Sequence, residues 1–279
     1  MKPLLTLLIC FSFSSSRAQE NDCNVQLNHF LIFVDSTTYW EILQSEVFQT
    51  DFAFTFYKNV NWEGLYFIGE ENYIEIFHPN SIPNENYPPG SSWICHASLK
   101  ANCIENYTFP DNEQFIYSTD EHYDDISLET SDSANLFTTW EMNEMQYVTW
   151  VKREYSDTMT FLPADYASAD DADSSKNYLF NNVLGIEILA NRKDSVNISQ
   201  YFKMIGYKTV TDENEYLMYT NEKDFFELTY SEELEFPIIT KVHFEINEVK
   251  KKEEITIGDS KITFNGTRGI WEFNLSARE

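Results

Sequence analysis

A strand, a helix and three further strands can be read twice along this 279-residue chain, and that order constrains the fold more than any other feature. In the first copy, residues 28–34 are apolar on both faces, as expected of a strand covered on both sides. Asp35 or Ser36 then caps a helix running to about Phe48, with Tyr39, Ile42, Leu43 and Val47 on one side. Strand-forming stretches cover 52–60, 64–68 and 72–78, and Pro79 stops the last. In the second copy, 183–190 reads as a strand, and 195–205 as an amphipathic helix stopped by Gly206. Three strands follow over 207–211, 215–220 and 225–230. Residues 237–247 and 255–273 add more strands, with turns at Gly258 and Gly266. The copies share little identity, so the duplication rests on the order of elements.

Residues 79–134 read as a long irregular insertion, punctuated by Pro83, Pro88, Pro89 and Gly90, of the kind that forms lids or decorated loops. Strands resume over 136–154. Residues 164–177 read as a solvated acidic linker, because their aspartate spacing lacks the turn glycine and closing glutamate of an EF-hand. The expected boundaries are therefore 1–18, 19–163 with its insertion at 79–134, 164–177, and 178–279.

The first of these segments is an export signal. Lys2 is followed by an apolar run over 4–13 and a small, polar stretch over 14–18, with Ser16 and Ala18 at the −3 and −1 positions. The apolar run is shorter than the ~20 residues that span a bilayer. The mature chain is thus expected to be secreted or periplasmic. The whole chain has a formal charge of −27, and losing Lys2 and Arg17 makes the mature part more negative still, so it repels both nucleic-acid phosphates and anionic lipid. Those partners are excluded, a small molecule is the partner left, and the oligomeric state stays open. Cys23, Cys95 and Cys103 survive cleavage, and an oxidising compartment favours a disulfide. Cys95 with Cys103 is the local choice, although spacing alone does not fix a pairing. The chain has no Gly-x-Ser-x-Gly elbow, no His-Glu-x-x-His and no phosphate-cradling glycine loop.

Four short motifs stand together in the first copy: Leu-Asn-His at 27–29, Asp-Ser-Thr-Thr-Tyr at 35–39, Gly-Leu-Tyr-Phe-Ile-Gly-Glu at 64–70, and Tyr-Ile-Glu-Ile-Phe at 73–77. With Trp-Val-Lys-Arg-Glu-Tyr at 150–155, this set resembles an uncharacterised, mostly bacterial secreted family related to the glyoxalase, bleomycin-resistance and extradiol-dioxygenase (vicinal oxygen chelate) superfamily. The resemblance implies an α+β fold in which two β-α-β-β-β modules curl into a half-open barrel around a cleft. Metal-dependent members place a histidine on the first strand and a glutamate on the fourth, positions that fall here on His29 and Glu75.

Strand alternation is compatible with that placement. It sets Leu27, His29, Leu31 and Phe33 on one face, and Tyr73, Glu75 and Phe77 on one face of the other strand. In the second copy Gly185 falls where His29 sits, and Glu227 falls opposite Glu75. A metal-binding form would use His29, Glu75 and Glu227, with Glu154 or His243 as outside candidates. One imidazole with two carboxylates can hold a divalent ion and leave a position open. Two functional readings follow. The first is a binding module with a small molecule in the cleft, favoured by the loss of the second histidine. The second is a metal-dependent enzyme acting on a small, oxygen-rich substrate. A purely structural His29–Glu75 pair stands beside both.

Overall fold

The computed structural model describes residues 25–58, 63–98, 103–104, 107–108, 114–119, 123–130, 135–142, 177–213 and 216–274. The expected export signal, the motif at 150–155 with Glu154, and all but the last residue of the expected linker lie outside them. No helix among the described residues is long and apolar enough to cross a membrane.

The chain opens with β1 (Val25–Phe33), α1 (Ser36–Gln44) and a π-helical segment (Val47–Phe52), followed by β2 (Phe54–Lys58), β3 (Gly64–Ile68) and β4 (Tyr73–Phe77). Next come β5 (Ser92–Ser98), β6 (Phe115–Thr119), β7 (Tyr123–Glu129) and β8 (Asn135–Met142). The second half comprises β9 (Phe180–Ala190), α2 (Arg192–Met204), β10 (Lys208–Glu213), β11 (Tyr216–Thr220), β12 (Phe225–Tyr230), β13 (Ile238–Ile257) and β14 (Ser260–Phe273).

These strands form two open, mixed sheets. The first has the order β2-β3-β4-β1-β5-β8-β7-β6, and the second β10-β11-β12-β9-β13-β14. In each, the opening strand runs parallel to the fourth strand of its unit and antiparallel to the strand after that unit. The repeated order read in the sequence is therefore present. The two copies also share a defect in register. The pairing of β1 with β5 skips Asn28, and that of β9 with β13 skips Leu184, at the equivalent place.

The 79–134 segment departs from the expectation. It is not an irregular insertion, because β5, β6 and β7 lie within it, and β5 occupies the centre of the first sheet next to β1. Turn-forming Pro88, Pro89 and Gly90 immediately precede β5, and its interior carries Cys95 and His96, both buried. Polar residues in buried positions hide a strand from pattern reading. Smaller shifts occur at helix ends. α1 stops at Gln44 rather than Phe48, with Asp35 Oδ1 accepting from Thr37 N (2.9 Å) and Thr38 N (3.1 Å) as its cap. Gly258 does turn the chain between β13 and β14, but Gly266 lies inside β14 at φ +66°, where the register with β13 shifts.

A single apolar core holds both sheets. Phe52 meets Phe180 at 5.5 Å and Phe244 at 5.7 Å between ring centroids, and Phe48 meets Trp271 at 5.3 Å. Each helix reaches the other half. Thr38 Oγ1 in α1 accepts from Asp259 N (2.8 Å) at the β13–β14 turn, and Tyr201 OH in α2 meets His96 Nδ1 (3.0 Å) in β5 and Thr139 Oγ1 (2.8 Å) in β8. A second, smaller apolar cluster covers the opposite face of the first sheet and includes Leu31, Phe33, Tyr66, Tyr73 and Phe77.

Candidate functional site

The skipped residue at Asn28 decides where His29 points. Leu27 pairs with His96 and faces the main core, whereas His29 pairs with Cys95 on the opposite face. A bulge inserts one residue and re-aims the side chains that follow. The single-face reading of 27, 29, 31 and 33 is therefore corrected: Leu27 leaves the set, and His29 joins Leu31 and Phe33 outside the main core. Tyr73 and Phe77 share that outer face as expected.

His29 lies against a cavity of about 260 Å³ on this outer face. Its ring stacks on Tyr73 at 4.5 Å. Beyond Tyr73, the wall is built from Trp93 of β5 and from Leu136 and Trp140 of β8. Cys95 lines it between Trp93 and the neighbouring strands, and β7 and β8 supply Asp125, Ser127 and Thr138. Ser127 Oγ lies 2.7 Å from Asp125 Oδ2 and 3.2 Å from Thr138 Oγ1. Four of the nine lining residues, Trp93, Cys95, Asp125 and Ser127, belong to the segment read as an insertion, and of the nine the sequence marks His29 alone as a cleft residue. The signal that could have revealed them is alternation: 93 and 95, 125 and 127, and 136, 138 and 140 each share a strand face.

The electrostatics of the cavity are unusual. Burial pushes His29 down to about 3, so its ring is neutral over the physiological range. Its Nδ1 lies 2.8 Å from Asn28 Oδ1 and its Nε2 lies 3.8 Å from Glu75 Oε1. Burial first, then the fields of Glu75 and Asp125, push the Cys95 thiol well above its ordinary value. Cys95 is free and 6% exposed, while Cys103 is in a disulfide that does not include it. The expected Cys95–Cys103 pairing is therefore corrected.

The remaining sequence candidates separate. His29 and Glu75 come together, but Glu227 lies on β12 in the second sheet, beside Lys241. His243 Nε2 donates to Glu187 Oε1 (2.7 Å), and Lys241 Nζ donates to Glu187 Oε2 (2.9 Å). These bonds, the His243 one foremost, hold the Glu187 carboxyl below its usual range. Glu154 lies outside the described residues. A divalent ion needs more donors than one imidazole and one carboxylate. No group of three His, Cys, Asp or Glu side chains converges among the described residues. Among the described residues the donor set implied by the resemblance is thus incomplete.

The register also explains the difference between the two copies. Gly185 pairs with Phe225 and His243, as His29 pairs with Tyr73 and Cys95. The Phe225 ring lies so close over Gly185 that a Cβ there would stand 2.4 Å from it. One copy presents a histidine beside a cavity, and the other fills the same place with a phenyl ring.

Residues 27–273, which contain both sheets and the cavity, match the sequence pattern of DUF5829, a family of unknown function. The chain belongs to that family. Among solved structures, the family member described here is similar to a hypothetical protein from Staphylococcus aureus, at 9% identity and a TM-score of 0.45, over 84% of this chain and 95% of the other. It is also similar to a Bacillus subtilis protein named a "putative dioxygenase", at 10% identity and a TM-score of 0.32, over 85% and 80% of the two chains. No curated protein matches it.

Proposed function

We propose that this chain binds a small molecule in the cavity beside His29, without catalysis of its own. The observation that supports this most is an aromatic-walled cavity whose one histidine is held neutral. Ligand sites are typically concave and mostly apolar, with few polar groups fixing orientation. Here Trp93, Trp140, Tyr73 and Leu136 supply the apolar body, and His29, Ser127 and Thr138 the polar points. The thiol of Cys95, kept protonated, is a poor nucleophile. The repeated strand order and the shared bulge support reading the two units as glyoxalase-like modules, joined as open sheets. The export signal supports a secreted or periplasmic site of action, and sequencing of protein recovered from the source is expected to begin at Gln19.

The test of binding is saturation-transfer NMR with a set of aromatic fragments, run on the wild-type protein and on Thr138→Phe, which fills the cavity. Signals present in the first and lost in the second, with unchanged circular dichroism, are expected. Equal signals in both would refute the proposal. The close approach of His29 to Glu75 favours one alternative, a divalent-metal enzyme acting on a small, oxygen-rich substrate. It requires a third donor, for which Glu154 is the sequence candidate. Elemental analysis after metal loading separates the readings: a stoichiometric ion lost in Glu75→Gln supports the enzyme, and less than about a tenth of an equivalent rejects it.

A further inference from the structure

Five lining residues stand in one row across the first sheet. Tyr73 pairs with His29, His29 with Cys95, Cys95 with Thr138, and Thr138 with Ser127, so the row crosses β4, β1, β5, β8 and β7. The last three side chains are small and floor the cavity. Trp93 stands two residues to one side of this floor on β5, and Trp140 two residues to the other side on β8. They are about 13 Å apart along the strands, at ~3.3 Å per residue. The cavity is therefore a trough between two indoles, with the His29–Tyr73 stack at one end. Among the described lining residues no charged group stands free to balance a ligand charge. Burial holds His29 neutral and the Cys95 thiol protonated. Asp125 accepts from Ser127, and Asp125 and Glu75 each have further partners. A charged ligand would give up water here without a counter-charge, which is costly. The hydroxyls of the floor have a fixed direction. Ser127 has one hydrogen and two neighbours, Asp125 Oδ2 at 2.7 Å and Thr138 Oγ1 at 3.2 Å. The carboxylate only accepts, and the shorter, charge-assisted bond is the stronger, so Ser127 donates to Asp125. Thr138 then donates to Ser127, and its oxygen has only accepting capacity left.

Resting on the binding reading above, we propose that the ligand is an uncharged aromatic molecule bearing a hydrogen-bond donor, with its ring between Trp93 and Trp140 and its N–H or O–H on Thr138 Oγ1. A ligand of the same shape with an acceptor in that place would meet the Thr138 oxygen with no hydrogen to share. The cavity, at about 260 Å³, lies just below the ~300–1,000 Å³ typical of drug-sized ligands, which limits the ligand to one ring or a fused pair. Offset or edge-on contact with two indole rings favours an aromatic body over an aliphatic one.

The test is isothermal titration of the full chain with indole, with benzofuran, which has the same shape but an oxygen in place of the N–H, and with tryptamine and indole-3-carboxylate, which carry opposite charges. Indole is expected to bind about threefold to tenfold more tightly than benzofuran, and both charged probes more weakly than indole. Thr138→Val keeps the shape of the floor and removes the acceptor. It is expected to bring indole down to the level of benzofuran and to leave benzofuran unchanged. The probe series on the wild-type protein needs no variant at all. Benzofuran bound as tightly as indole, or indole unaffected in a folded Thr138→Val, overturns the donor. A charged probe bound more tightly than indole overturns the uncharged class. Each of these leaves the binding site standing. No binding by any probe, together with no NMR signal from the fragment set, overturns both.

Discussion

Gly185 and His29 hold the same position in two copies of one unit, and the side chains around them decide opposite outcomes. Over Gly185 the Phe225 ring leaves no room for a Cβ. Gly185→Ala is expected to cost about 1–3 kcal/mol in urea unfolding, as overpacking does. Gly185→Ala combined with Phe225→Leu should recover part of that loss, because the contact is shared. An Ala variant as stable as the wild type would show that the ring moves freely. At Cys95 the thiol is buried and held protonated. Slow alkylation in the native state and fast alkylation in denaturant are expected, with the label mapped to Cys95 by peptide mass. Of this residue-scale picture, His29, Glu75 and the Gly185 substitution were legible from the chain. The aim of His29 was not, because a bulge leaves no mark in an alternation pattern.

At the scale of elements, the two halves are joined by hydrogen bonds between the β3–β4 turn and β9. Asn72 Nδ2 donates to Val183 O (3.0 Å), and Val183 N donates to Asn72 Oδ1 (2.7 Å), both buried. Asn72→Ala leaves a donor and an acceptor without these partners, so a loss of about 2–4 kcal/mol is expected. Asn72→Asp restores only the acceptor and should recover part of it at neutral pH. Calorimetry or urea unfolding reads both, and a neutral effect of Asn72→Ala would mean that the junction carries little stability. The strand order of both units was visible in the sequence because each strand is short, apolar and bounded by turn residues. β5 was not, since its neighbours in space, β1 and β8, are distant in the chain.

For the whole molecule, stability depends on buried groups of opposite sign. His29 and His96 are each pushed down to about 3 by burial, below their ordinary 6.5. Their contribution is complete above about pH 6.5 and is lost as pH falls towards 3. Asp224 is pushed up to about 6 by burial, although it accepts from Tyr207 OH and from Leu27 N (3.0 Å). Its contribution is complete below about pH 3.8 and is lost as pH rises through about 6, a difference of about 3 kcal/mol at most. Two histidines outweigh one aspartate, so unfolding free energy should fall steadily as the medium is acidified below about pH 6. Asp224→Asn removes the opposing group and should steepen that fall, while improving stability at neutral pH. Urea titrations across the range check both; an unchanged slope in Asp224→Asn would refute the assignment. One shared core further predicts a single unfolding transition for both sheets.

The sequence by itself determined the repeated units, the alternation that places Tyr73, Glu75 and Phe77 together, and the loss of a second histidine at Gly185. Those features depend on residue type and short-range spacing, which periodicity records directly. Only the tertiary structure decided that β5 and β8 lie beside β1, that Cys95 is free, that Glu227 belongs to another sheet, and that a cavity stands against His29. Each of these depends on strand pairing between residues far apart in the chain. Such pairing is chosen by burial of the shared core as a whole, and no local pattern encodes it.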